Sequence, residues 1–287
     1  MKIGVFGAGA WGTALAYACE KSGNKVIHWG FNGIFDGLVD LPKPDNVLRT
    51  SNMDDLKQCE YWLIVTPAAF FRETVKKMRA IYNNQPILIC TKGMESKSGQ
   101  FMSEILNTEI PECKDFGVLS GPQFAREVAI GVPTGSTLAG NERVRAGAHT
   151  ALSVLYLQDC TDIIGTQICG VGKNAVSLIS GFLTGVTKGE NERALLFTRA
   201  WGEVVNLGLK MGAECSTFLG LCGVGDLFLS ATSSTSRNFS AGLSIARGEK
   251  YTGTIEGIFA LCGLIRRSQE LGVNTPVLSE MKKKMGL

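Results

Sequence analysis

Short, wholly apolar runs alternate with amphipathic stretches through the first half of the chain. Ile3-Gly4-Val5-Phe6 reads as a buried strand, and the helix after it carries Trp11, Leu15, Ala18 and Cys19 on one face. Gly23 ends that helix, and Lys25-Val26-Ile27-His28-Trp29 supplies the next strand. Tyr61-Trp62-Leu63-Ile64-Val65 is a third, left through Thr66-Pro67 and followed by a helix over about 69–82. Strands are further predicted at 86–91, 116–119, 134–139 and 161–164, with a helical stretch through Phe101 and Ile105. Apolar runs without polar alternation belong to strands covered on both faces, so the pattern predicts a mostly parallel sheet. The stretch 33–54 breaks the rhythm: Pro42, Pro44 and a shortage of helix formers predict irregular chain.

After about residue 166 the period changes to that of helices. Helices are predicted over 172–186, with Val176, Ile179 and Leu183 on one face, and over 191–212, 240–248, 256–272 and 276–285. The fold class expected is therefore α/β: an N-terminal Rossmann-type doubly wound sheet over 1–166, then an all-helical second domain over 167–287.

Composition narrows this only slightly. The 287 residues suffice for two domains with a large core, and 45% hydrophobic against 19% charged residues describes a folded globular chain. Glycine supplies 35 residues, well above the average of about 7%, which predicts many tight turns and close backbone approaches. A net charge of +3 is too small to argue for nucleic acid. The nine cysteines are odd in number, scattered, and without a CxxC pair, so they read as reduced thiols of a cytoplasmic protein with no metal site. Neither a leader nor a membrane span is predicted. The two histidines, His28 and His149, read as structural, so a proton donor is sought elsewhere.

Candidate chemistry starts at the first strand. Gly7-Ala8-Gly9-Ala10-Trp11-Gly12 links strand to helix in the spacing that binds dinucleotides. Gly7 allows the tight turn, Gly9 lets backbone approach a pyrophosphate, and Gly12 lets the helix pack on the strand. Four later segments place polar residues in glycine-rich or apolar surroundings. Thr91-Lys92-Gly93 leaves a strand end, where Lys92 faces a cleft or is a solvated loop lysine. Ser120-Gly121-Pro122-Gln123 leads into a helix N-terminus. Gly172-Lys173-Asn174 opens an apolar helix; Lys173 is either an exposed first-turn lysine or a buried general acid. Asp226, after Gly223-Val224-Gly225, is an N-cap or a partner for a catalytic lysine, and Arg237 in Ser236-Arg237-Asn238 is a phosphate fork or a capping arginine.

In this order and with these neighbours, the segments GAGAWGTALA, VTPAAFFR, TKGME, LSGPQFAREV, GVGKN, GENERALLFTRAWGE and GLCGVGDLFLSATSSTSRN, with Glu256-Gly257, resemble the NAD(P)-dependent sn-glycerol-3-phosphate dehydrogenases of the bacterial type. The resemblance implies reduction of dihydroxyacetone phosphate to sn-glycerol 3-phosphate for glycerophospholipid synthesis. It implies Lys173 as the catalytic proton donor, Lys92 as a second lysine at substrate and cofactor, and Asp226 as the acid holding Lys173. Gly121, Gln123, Asn174, Ser236, Arg237 and Asn238 would hold substrate. Gly7, Gly9, Ala10, Trp11, Gly12, Asn32, Ala125, Arg237 and Glu256 would hold NAD or NADP. A small phosphorylated triose is the partner implied, with a homodimer as the assembly. Gln123 and Ser230 depart from the serine or threonine and the threonine common in the family, and the region 30–52 and the C-terminus are shorter. Trp29-Gly30-Phe31-Asn32 offers neither the acid that marks NAD nor an arginine, so cofactor preference stays open. The alternatives are another two-domain reductase of the 6-phosphogluconate or 3-hydroxyacid dehydrogenase type, and a catalytically silent nucleotide-binding module.

Overall fold

The apolar runs pair into one sheet in the computed structural model, which describes residues 1–252 and 255–287. In chain order the first elements are β1 (Lys2–Phe6), α1 (Ala10–Lys21), β2 (Lys25–Trp29), β3 (Val47–Thr50), a 3-10 turn (Met53–Gln58), β4 (Tyr61–Ile64), α2 (Ala68–Arg79), β5 (Ile87–Ile89) and α3 (Met102–Glu109). Then follow β6 (Phe116–Ser120), α4 (Ala125–Ile130), β7 (Gly135–Gly140), α5 (Glu142–Ala151) and β8 (Tyr156–Cys160). The strand order is β3-β2-β1-β4-β5-β6-β7-β8. Pairing is parallel from β3 through β6 and between β7 and β8.

Both sheet faces are dry, which is why the central strands lack polar alternation. Ile3, Val5, Tyr61, Leu63 and Leu88 pack with Leu15, Ala18 and Val144 on one face. Phe6, Trp62, Ile64, Ile87 and Ile89 pack with Phe71, Met78 and Ile105 on the other.

The helical part comprises α6 (Ile163–Val186), α7 (Glu190–Lys210), α8 (Cys215–Leu219), a π-helical turn (Leu221–Gly225), α9 (Asp226–Thr232), α10 (Arg237–Ala246), α11 (Glu256–Glu270) and α12 (Pro276–Lys284). The chain divides into two compact units. One is Met1–Lys92, Phe101–Leu119 and Gln123–Ile163; the other is Gly93–Gln100, Ser120–Pro122 and Ile164–Leu287. A Rossmann-type sheet domain is thus followed by a helical one.

Three sequence expectations are corrected. The stretch 33–54 is not wholly irregular: it holds β3, whose Val47 is buried while Leu48 is exposed. A four-residue edge strand carries too little apolar signal to stand out. The predicted strand at 161–164 is instead β8 at Tyr156–Cys160 followed by the start of α6. Gln158 and Asp159 of β8 are exposed, as an edge strand allows. Third, α6 begins at Ile163 and not at Gly172, so its glycines interrupt nothing. A Cβ on Gly172 would lie 2.4 Å from Val204 Cγ1. Close packing there outweighs the low helix propensity of glycine.

Candidate active site

The glycine loop is held in shape from beneath. Gly7 has φ +129, and a Cβ on it would fall 2.8 Å from the Val65 carbonyl carbon. A Cβ on Gly12 would fall 1.9 Å from Gly7 O. Both positions therefore admit only glycine. Gly9 differs: a Cβ on it would meet nothing within 4 Å. Gly9 and Ala10 are exposed, and no side chain caps the N-terminus of α1. That open space above free helix amides fits a dinucleotide pyrophosphate. Gly37 packs against the same Gly9–Ala10 peptide, since a Cβ on it would lie 2.4 Å from Ala10 N.

His28 braces the loop. Its Nε2 donates to Gly7 O at 2.7 Å, and Nδ1 is buried without a partner. Burial drives the imidazole pKa down to about 4, against the pull of the Gly7 hydrogen bond and with a small contribution from Arg49. Trp11 Nε1 donates to Cys90 O at 3.2 Å, tying α1 to the end of β5. Lys92 follows that strand end, half-buried, next to Thr91, whose hydroxyl donates to Thr66 O at 2.7 Å. Asn32 is exposed in the turn after β2, and Ala125 begins α4. Gln123 donates its amide to Ser136, while its Oε1 is buried and unpartnered.

The helical unit assembles a second polar group. Asp226 is fully buried, and a buried carboxylate needs a paired charge. Lys173 Nζ lies 3.1 Å from Asp226 Oδ1, and the lysine side chain is 13% exposed. The same Nζ donates to Ser230 Oγ at 3.0 Å, and Ser230 donates to Asp226 Oδ1 at 3.2 Å. Lys173 thus sits mid-helix in α6, not in a first turn, and its charge is held inside the protein. Asp226 is the first residue of α9, so it does not cap that helix; it follows the π-helical turn directly. Gly223 lets that turn form, because a Cβ there would lie 2.0 Å from Phe218 O. Pro122 Cγ would lie 3.7 Å from a Cβ on Gly225, which brings the Gly121 turn beside the cluster.

Asn174, the residue after Lys173, starts another group. Asn238 Nδ2 donates to Asn174 Oδ1 at 2.9 Å, and Gly257 N donates to Asn238 Oδ1 at 2.9 Å. Asn174 Nδ2 reaches Glu256 Oε2 at 3.5 Å. Ser236 caps α10 through Phe239 N at 3.4 Å, and Arg237, the first residue of α10, is exposed. The structure therefore forms two groups from consecutive residues of α6, Lys173 with Asp226 and Asn174 with Asn238 and Glu256. Ser230 joins the first group, although in the sequence it stands out only as a departure from the family; its signal is the one-turn spacing from Asp226. Among the described residues no group of three His, Cys, Asp or Glu side chains is arranged to hold a metal, and no helix is long and apolar enough to cross a membrane.

Comparison with known proteins agrees with the motifs. A family model described as the NAD-dependent glycerol-3-phosphate dehydrogenase N-terminus matches residues 2–146, and its C-terminal counterpart matches 162–284. The chain is 34% identical to a glycerol-3-phosphate dehydrogenase (NAD(P)+) of Thioalkalivibrio sulfidiphilus, over 98% of this chain and 91% of the relative. It is 35% identical to the enzyme of that name from Nitrosospira multiformis, over 96% and 91%. The crystal structure of glycerol-3-phosphate dehydrogenase from Coxiella burnetii superposes with a TM-score of 0.91 at 28% identity, over 99% of this chain and 94% of that one. The chain belongs to the NAD-dependent glycerol-3-phosphate dehydrogenase family.

Proposed function

We propose that the chain interconverts dihydroxyacetone phosphate and sn-glycerol 3-phosphate with NAD(H) or NADP(H), and that the glycerol 3-phosphate serves glycerophospholipid synthesis. The observation that carries this reading is the buried Lys173–Asp226–Ser230 cluster in a chain of this family. The nicotinamide supplies, when bound, a hydride for the ketone carbon. Negative charge develops on the carbonyl oxygen, and Lys173 Nζ gives that oxygen a proton. In the reverse direction Lys173 takes the alcohol proton. Asp226 and Ser230 hold Nζ in place, so that the ammonium is positioned before substrate arrives. Lys92 adds positive potential and is the second cation assigned to the substrate and the cofactor.

Gly121, Gln123, Asn174, Ser236 and Asn238 are assigned to substrate orientation, and Arg237 to its phosphate, for which an exposed guanidinium fork is suited. Gly7, Gly9, Ala10, Trp11, Gly12, Asn32 and Ala125 are assigned to the dinucleotide, with Arg237 and Glu256 contributing to it. A reducing cytoplasm suits the nine cysteines, none of which forms a disulfide and most of which are buried.

The test is oxidation of NADH and NADPH by the purified protein with dihydroxyacetone phosphate, with unphosphorylated dihydroxyacetone as control. The reading predicts turnover with the phosphate ester and little without it. It also predicts that Arg237→Lys lowers kcat/KM for the ester about tenfold or more while leaving the poor control substrate nearly unchanged. Turnover confined to 6-phosphogluconate or a 3-hydroxyacid would overturn it, as would cofactor binding without turnover.

A further inference from the structure

Beside β2, whose following turn carries no charged side chain before Asp36, β3 places an arginine. In a dinucleotide-binding sheet the adenosine ribose lies beyond the carboxyl end of β2. An acid there binds the free 2′-hydroxyl of NAD, whereas an arginine accommodates the 2′-phosphate of NADP. The turn after β2, Gly30-Phe31-Asn32-Gly33, has neither. β3 lies parallel to β2, with Arg49 opposite His28 and Thr50 opposite Trp29. The two strands therefore deliver their carboxyl ends side by side.

An open pocket of about 620 Å³ lies there, lined by Gly33, Phe35, Arg49, Thr50 and Ser51. Arg49 is its cation. The guanidinium carbon stands 5.0 Å over the Phe35 ring, and Nη2 donates to the Tyr17 hydroxyl at 3.2 Å. These contacts fix the plane of the fork but use one of its five donors. Nε is buried with no hydrogen-bond partner, and no carboxylate pairs with Arg49 among the described residues. Asp55, the acid attached to this strand end, is engaged by the Thr50 hydroxyl at 2.6 Å and the Asn52 amide at 3.2 Å. His28, opposite Arg49, stays neutral and donates to Gly7 O.

A positioned arginine with unused donors, lining a pocket where the ribose-binding acid is missing, suits a dianion. The geometry points to Arg49 as the residue that binds the 2′-phosphate of NADP and so makes this chain prefer NADP(H) over NAD(H). The inference rests on the dinucleotide reading of the glycine loop given under Proposed function.

Two measurements test it. Calorimetric titration with adenosine 2′,5′-bisphosphate and with 5′-AMP reads the pocket without substrate or turnover. Wild type should bind the bisphosphate at least tenfold more tightly than 5′-AMP, and Arg49→Gln should erase most of that difference. In steady-state kinetics, kcat/KM for NADPH should exceed that for NADH, and Arg49→Gln should lower the ratio about tenfold or more. If the Gln variant does not fold, Arg49→Lys carries the test: it keeps the charge, loses the fork, and should fall between the two. Equal binding of the two adenosine ligands by wild type would overturn the inference. So would a loss in the variants that is the same for both. Tight, Arg49-dependent bisphosphate binding by a protein that reduces no ketose phosphate would uphold Arg49 and reject the proposed reaction.

Discussion

Asp226 is fully buried, and its charge is tolerated because Lys173 stands 3.1 Å away. Breaking a buried pair by deleting one member typically costs about 3–5 kcal/mol, so substitutions here act on folding as well as chemistry. His28 shows a different logic. It is buried as the neutral Nε2–H form, because that nitrogen must donate to Gly7 O while Nδ1 has no partner. With its pKa held down to about 4, the native imidazole stays unprotonated where an unfolded one takes up a proton. Stability should therefore be flat above about pH 7 and fall as pH drops from about 6.5 towards 4, by on the order of 3 kcal/mol. Trp11, Trp29 and Trp62 all lie in the sheet unit. Urea unfolding followed by tryptophan fluorescence at several pH values reads this, and His28→Gln should flatten the slope. An equal slope in the variant would assign the acid sensitivity elsewhere. A pairing of Asp226 with a lysine was one of the readings that residue types and neighbours allowed, and Lys173 stands 3.1 Å from it. Arg49 was not legible in the sequence, because its importance depends on which strand lies beside β2.

At the scale of elements, helix α10 sits on α6 through a glycine seam. A Cβ on Gly181 would lie 1.9 Å from Phe239 O, and one on Gly242 would lie 2.0 Å from Leu178 O. This close approach is what lets Asn238 of α10 reach Asn174 of α6. Gly242→Ala must push the helices apart, so a destabilisation of about 1–3 kcal/mol is expected. A fall in kcat/KM should accompany it as the Asn174–Asn238 bond lengthens. Denaturant unfolding and steady-state kinetics on the same variant check this; unchanged values for both would mean the seam has slack. Other glycines, Gly165, Gly170 and Gly172, hide the first half of α6 from a reading of its sequence. Sequence shows glycine as a helix breaker, and only the neighbouring helix shows why it is required. The edge strands β3 and β8 were misread for the opposite reason, since half-exposed strands need few apolar residues. The central strands, dry on both faces, were legible nearly to the residue.

For the whole molecule, the sheet unit carries the glycine loop, Arg49 and Lys92, while the helical unit carries Lys173, Asp226, Ser230, Asn174 and Asn238. The division follows from chemistry: a parallel sheet ending in free helix amides suits a dinucleotide, and long packed helices suit a buried charge pair. The central claim is that Lys173 is the proton donor, and the most direct measurement is kcat for Lys173→Arg beside its cofactor affinity. Arginine keeps a positive charge against Asp226, so folding is protected, but it does not give up a proton near neutral pH. We expect kcat with dihydroxyacetone phosphate to fall about 10²–10⁴-fold while the Kd for the reduced cofactor, read by fluorescence titration, stays within about threefold of wild type. A folded Lys173→Arg protein with near-normal kcat would contradict the account and remove Lys173 as the acid.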